Sequence, residues 1–205
     1  FKHVRNAGGL CIADEVQIGC GRVGDAFWGF ELDAVDGGEP VIPDIVVMGK
    51  PIGNGHPIGA VVTTRAIAES FANGMEFFST FGGNPVSCEV GKAVLEVIEE
   101  EGLQARAAIL GRRFLDGLRD LQARHEVIGD VRGRGLFLGI EMVRDRSTRE
   151  PAADIADAVV QNIKRAGVLL STDGPRHNVI KIKPPLALNE NDVDMAIRLL
   201  DDAMS

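Results

Sequence analysis

Short runs of branched apolar residues alternate with glycine-rich turns over the first sixty positions, and longer patterns with a period near 3.6 follow. Leu10-Cys11-Ile12-Ala13 and Asp44-Ile45-Val46-Val47-Met48-Gly49 are too short for helices and rich in branched side chains. Both therefore predict fully buried strands of an α/β sheet. A third run spans Ile58 to Thr64, separated from the second only by the loop Gly53-Asn54-Gly55-His56-Pro57. That connection is too short for a parallel crossover, so the second and third strands are expected to be antiparallel members of a mixed, mostly parallel sheet. Residues 65–73 suit a short helix. A longer one starts at Asn84-Pro85, with Asn84 as N-cap and Pro85 at the first helical position, and ends at Glu99-Glu100-Glu101-Gly102. Another helix is expected over 103–124. Beyond it the pattern gives a strand at 136–143, a helix at 152–166, strands at 168–172 and 179–183, and a last helix from Glu190 to Ala203 capped by Asn189. The expected division is an α/β part over 1–100 and a smaller α+β part over 101–205, joined inside a helical connection.

The segment Gly19-Cys20-Gly21-Arg22-Val23-Gly24 has the spacing of a dinucleotide-binding loop and follows an apolar run. The fingerprint also needs a helix opening at the glycines. Here DAFWGFELDAVDGGEPVIPD follows, too rich in glycine, acid and proline for an amphipathic helix. Asp14 and Glu15 at the strand end would also repel a pyrophosphate. The glycines are better taken as a loop, and Asp14 becomes the residue to explain.

Composition narrows the functional classes. The 205 residues carry a net charge of −8, which disfavours nucleic acid as a partner because phosphate neutralisation requires clustered Lys and Arg. No apolar run approaches the ~18 residues needed to cross a bilayer, and FKHVRNAGG lacks the layout of a secretory signal, so a soluble, cytoplasmic protein without a membrane partner is expected. The chain opens on Phe1 in a pattern like the tail of a helix, which suggests a piece of a longer protein. Cys11, Cys20 and Cys88 share no metal-ligand spacing and His3, His56, His125 and His177 are scattered, so no metal site is expected.

The candidate chemistry lies at two strand ends. Asp14 and Lys50 each follow a buried-strand run, where ligands of open α/β sheets gather. Two readings are open on residue types alone, a structural ion pair or a ligand site. Lys50 has no charged neighbour between Asp44 and Arg65, and Gly49, Gly53 and Gly55 allow the backbone close to a ligand. A lysine in such surroundings is a nucleophile and a Schiff-base former. Pyridoxal phosphate needs this pair, an amine for its aldehyde and an acid facing its pyridine nitrogen. It also needs a phosphate cup, for which Thr80, Gly82 and Gly83 in STFGGNP offer a hydroxyl and backbone amides.

Four ordered stretches, IADEVQIGCGRVG, PDIVVMGKPIGNGHPIGAVV, STFGGNPVSCEVGKAVLEVI and GDVRGRGLFLGIEMV, together resemble the class-III aminotransferases, pyridoxal 5'-phosphate enzymes of fold type I. The resemblance spans nearly the whole chain. It implies that residues 1–100 form the C-terminal part of the large cofactor-binding domain and 101–205 a small C-terminal α+β domain. By the same resemblance Asp14 pairs with the pyridine nitrogen, Val16 packs on the ring, Gln17 reaches the ring hydroxyl and Lys50 carries the cofactor. Thr80 would bind the phosphate of the partner subunit's cofactor, which implies a homodimer with shared sites. Family members are longer, and the N-terminal part they add should hold most phosphate contacts, so this chain alone is expected to hold cofactor poorly.

Within the family, MGKPIGNGHP, GMEFFSTFGGNPVSC and LLSTDGPRHNVIKIKPPLALNENDVD look most like the phospho-lyase branch, which acts on ethanolamine phosphate or phosphohydroxylysine. Lys183 stands where ordinary transaminases more often carry arginine or a neutral residue, and Cys20 where the family often has an aromatic. The expected activity is conversion of an amine phosphate to aldehyde, ammonia and phosphate. The alternatives are an amine transaminase using a keto acid acceptor and, from another class, a non-catalytic remnant serving as a binding module.

Overall fold

A computed structural model describes residues Phe1–Ser205. Contacts divide the chain into two compact units, Phe1–Gly21 with Asp25–Gln104, and Arg22–Gly24 with Ala105–Ser205.

The first unit is built on a three-stranded sheet, β1 (Ile12–Asp14), β2 (Ile45–Met48) and β3 (Ala60–Thr63), in that order. β1 and β2 are parallel with Asp14 opposite Val47, whereas β2 and β3 are antiparallel with Met48 opposite Ala60, as the short intervening loop requires. Around them lie α1 (Lys2–Asn6), α2 (Leu32–Val35), α3 (Arg65–Phe71) and α4 (Pro85–Glu100). Asn84 caps α4, its Oδ1 accepting the Ser87 N–H at 2.9 Å, and Pro85 follows where a missing N–H costs nothing. Asp44 clamps the start of the sheet by accepting from the Cys11 N–H at 2.7 Å and from the Arg5 guanidinium. The Cys11 amide and then Arg5 hold its carboxyl below the usual carboxylate range.

One expectation for this sheet fails. Its strands are not fully buried: Ile12 is 59% exposed, Val61 66% and Val62 56%. Within the unit, α4 packs on the 3-10 turn Lys50–Gly53. Branched residues report a strand but not what covers it.

The second unit places α5 (Leu103–Arg124, from Ala105 onward), α6 (Ala153–Arg165) and α7 (Glu190–Met204) against an antiparallel sheet. Its strands are β4 (Ile128–Arg134), β5 (Phe137–Met142), β6 (Ser171–Asp173) and β7 (Val179–Ile182), in the order β4-β5-β7-β6. Leu138, Ile140 and Met142 alternate along β5 onto one face, and meet Phe114, Leu118 and Leu121 of α5, Val159 and Ile163 of α6, and Val193 and Leu200 of α7 in one core. Each such side chain contributes about 1.5–3 kcal/mol by leaving water. Asn189 caps α7 in a reciprocal box with Asp192.

Two strand assignments differ from the sequence reading. β4 was not expected, because IGDVRGR buries only Ile128 and Val131 and a register shift between Ile128 and Asp130 breaks the period of two. The strand expected over 168–172 begins later, at Ser171, where β6 starts. Gly167, at φ +94°, closes α6 by donating to Lys164 O while the Val168 N–H bonds Ile163 O, a Schellman turn that uses the start of that run to end a helix.

Close backbone approach makes Gly111 irreplaceable in α5: a Cβ there would sit 2.3 Å from the Gly135 carbonyl oxygen. Gly111→Ala is expected to destabilise this unit by about 3 kcal/mol, read as a lowered denaturant midpoint. No helix of the chain is long and apolar enough to cross a membrane.

Candidate active site

Parallel pairing brings the carboxyl ends of β1 and β2 to one edge of the sheet. Asp14 is the last residue of β1, and Lys50 lies two residues past the end of β2. With neighbouring strands about 4.8 Å apart and about 3.3 Å per extended residue, the register from Val47 puts the two Cα atoms within roughly 10–11 Å. Both side chains are exposed. Asp14 Oδ1 accepts the Val16 N–H at 3.0 Å, and no ion pair joins it to Lys50, so the structural ion pair is not formed. A carboxylate and an amine thus stand at adjacent strand ends with no ion pair between them.

Lys50 itself is held in an unusual conformation. Its φ is +26°, outside the region ordinary residues prefer, at the first position of the 3-10 turn Lys50–Gly53. Such strain costs about 1–3 kcal/mol and collects at functional positions. Val16 lies at the same place, since a Cβ on Gly49 would be 3.4 Å from its Cγ1. Its isopropyl group therefore rests on the backbone that delivers Lys50.

Glu15 holds this corner, and sequence reasoning assigned it no role. Its N–H donates to Val47 O at 2.9 Å, extending the ladder one residue past β1. The carboxylate is 3% exposed and accepts the Gly29 and Phe30 N–H groups at 2.8 and 3.0 Å, at the 3-10 turn Gly29–Glu31. Partners 14 and 15 residues away leave no local pattern to find. Gln17 is half-buried and engaged in interactions of its own.

The glycine loop opens no helix at its glycines, in keeping with the rejection of a dinucleotide site. Cys20 is buried and adopts φ +62° between Gly19 and Gly21. In the second unit Arg22 donates from Nη1 to the carbonyls of Leu136 at 3.2 Å and Pro184 at 2.6 Å. Lys183 is half-buried and, with Phe114, Pro184 and Pro185, lines a cavity of about 630 Å³ in that unit.

Thr80 lies in the exposed stretch between α3 and α4, and its hydroxyl makes no hydrogen bond within the chain. The neighbouring Ser79 Oγ accepts the Gly82 N–H at 3.0 Å. Ser79, Phe81, Gly82, Gly83, Asn84 and Ser87 line one side of a cavity of about 420 Å³. Asp14, Val16 and Lys50 are brought together by the sheet, whereas Thr80 stands on a separate loop within the same unit.

The mixed sheet with its helices is that of fold-type-I pyridoxal-phosphate enzymes, and solved class-III structures superpose on it. The family profile described as Aminotransferase class-III matches residues 3–204, and the chain belongs to that family. An alanine–glyoxylate aminotransferase 2-like protein of Drosophila melanogaster is 54% identical over 196 residues, covering 95% of this chain and 38% of its own length. An ethanolamine-phosphate phospho-lyase homolog of Caenorhabditis elegans is 46% identical over 99% of this chain and 43% of its own. A solved phospholyase from Arthrobacter in complex with phosphoethanolamine superposes with a TM-score of 0.92 at 42% identity, over 99% of this chain and 47% of that one. The chain thus spans less than half the length of these relatives.

Proposed function

We propose that the full-length protein is a pyridoxal-phosphate-dependent enzyme that eliminates phosphate from a small primary amine of the phosphoethanolamine type. The carrying observation is the separation of Asp14 and Lys50 at adjacent parallel strand ends without an ion pair between them. When bound, pyridoxal phosphate supplies an electron sink conjugated to the amine-bearing carbon. The residues present fit it: an amine for its aldehyde, a carboxylate for its ring nitrogen, and a branched side chain at Gly49 to meet a ring face.

In this reading Lys50 Nζ would hold the cofactor through its aldehyde and, when free of it, would serve as general base toward the proton on the amine-bearing carbon. Asp14 would face the pyridine nitrogen and keep it protonated, Val16 would lie against the ring and Gln17 would hydrogen-bond the ring hydroxyl. Thr80 would donate its hydroxyl to the phosphate of the cofactor in a second subunit, which would make the working unit a homodimer. With a phosphate on the neighbouring carbon, that group leaves with its electron pair, and water completes the reaction to aldehyde, ammonia and inorganic phosphate.

Likeness to a phospholyase with phosphoethanolamine bound supports this choice of substrate. Transamination is the second reading, favoured by the 54% identity to an alanine–glyoxylate aminotransferase 2-like protein. Full-length protein incubated with phosphoethanolamine and no keto acid is expected to release stoichiometric phosphate and acetaldehyde. Strict dependence on a keto acid acceptor would establish the transaminase instead, and absence of turnover with cofactor uptake missing would indicate a non-catalytic remnant.

A further inference from the structure

His56 and Ser87 lie 31 residues apart, yet His56 Nε2 and Ser87 Oγ are 2.7 Å from each other. His56 belongs to the loop that leaves the Lys50 turn. Its N–H donates to Gly53 O at 2.9 Å, and Asn54 at φ +43° and Gly55 at φ +102° bend the chain back. Ser87 belongs to the first turn of α4, the helix that follows the Thr80 loop.

The contact is part of a short network. Asn84 Nδ2 has two hydrogens and two acceptors, Phe81 O at 2.7 Å and Ser87 Oγ at 2.8 Å. Its Oδ1 is occupied by the Ser87 N–H. The Ser87 hydroxyl accepts from Asn84 and keeps one proton and one lone pair for His56 Nε2, so either tautomer of the ring completes the link. The resulting chain runs from the His56 ring through Ser87 and Asn84 to the carbonyl of Phe81, the residue after Thr80. A second contact runs parallel, since α4 packs at Gly91 against Ile52 O of the Lys50 turn. The segment carrying the candidate nucleophile and the segment carrying the candidate phosphate ligand are therefore fastened to the same helical turn.

The geometry points to His56 as a positioning residue that, through Ser87 and Asn84, sets the conformation of the Thr80 loop for phosphate. This rests on the reading of Thr80 as a phosphate ligand given above. The effect of His56, acting through the Thr80 loop, is directed at the phosphate end of the cofactor. A purely structural role would weaken every ligand alike.

The test compares pyridoxal phosphate with pyridoxal, which lacks the phosphate, for binding to the full-length protein. In His56→Ala and Ser87→Ala the dissociation constant for pyridoxal phosphate is expected to rise roughly tenfold, the scale of one lost half-buried hydrogen bond, with pyridoxal unaffected. The double variant should be no worse than either single one, because both break the same link. His56→Gln, whose side-chain amide can accept from or donate to the Ser87 hydroxyl, should restore part of the affinity. Amides of residues 80–84 in cofactor-free protein should exchange faster in both alanine variants. Equal weakening of both ligands, or no change in either, overturns the inference. If the unmodified protein binds pyridoxal phosphate no better than pyridoxal, it is the reading of Thr80 and the cofactor that falls.

Discussion

Replacing Lys50 with alanine is expected to lower turnover of the full-length protein by roughly 10³-fold or more, because in the proposed mechanism one amine is both covalent anchor and general base. The near-visible absorbance that follows addition of pyridoxal phosphate should be lost with it. Stability should move the other way. Lys50 sits at φ +26°, so Lys50→Gly relieves backbone strain and is expected to raise the unfolding free energy by about 1 kcal/mol, while alanine keeps its Cβ and stays near wild type. Kinetics and thermal melting of the two variants check this together. Activity surviving within tenfold, or glycine proving the less stable of the two, would remove the strained-nucleophile reading.

Asp14→Asn is the second large effect. Asparagine keeps an oxygen for the Val16 N–H that Asp14 accepts at 3.0 Å, so the local turn is preserved. What disappears is the negative charge that, in the proposed mechanism, would hold a proton on the pyridine nitrogen. Turnover is expected to fall by roughly 10²–10³-fold, the scale of losing one preorganised charge partner, with the cofactor still attached at Lys50. Steady-state kinetics alongside absorbance separate this loss from simple failure to bind. A drop in affinity with turnover intact would assign Asp14 a structural role instead.

The sequence carries the helices well, because their signals are local. Asn84-Pro85 and Asn189 mark starts that the caps of α4 and α7 reproduce, and the five-residue loop before Ile58 goes with β3 antiparallel to β2. Less legible is whatever depends on partners far along the chain. β4 hides behind a bulge, and Val168 goes to closing α6. The same division holds at the site. Asp14 and Lys50 stand out as polar residues ending apolar runs, and the sheet puts them at one edge. Glu15 and the His56–Ser87 link are defined by groups 14 and 31 residues away, and only coordinates bring those into view.

Attachment of the cofactor can be observed directly by treating the full-length protein with pyridoxal phosphate, fixing the carbon–nitrogen bond with borohydride and mapping the modified peptide by mass. The structure predicts a single stoichiometric adduct on Lys50, absent from Lys50→Ala. Adduct distributed over Lys92, Lys164 or Lys181, or none above the level seen with denatured protein, would contradict the assignment.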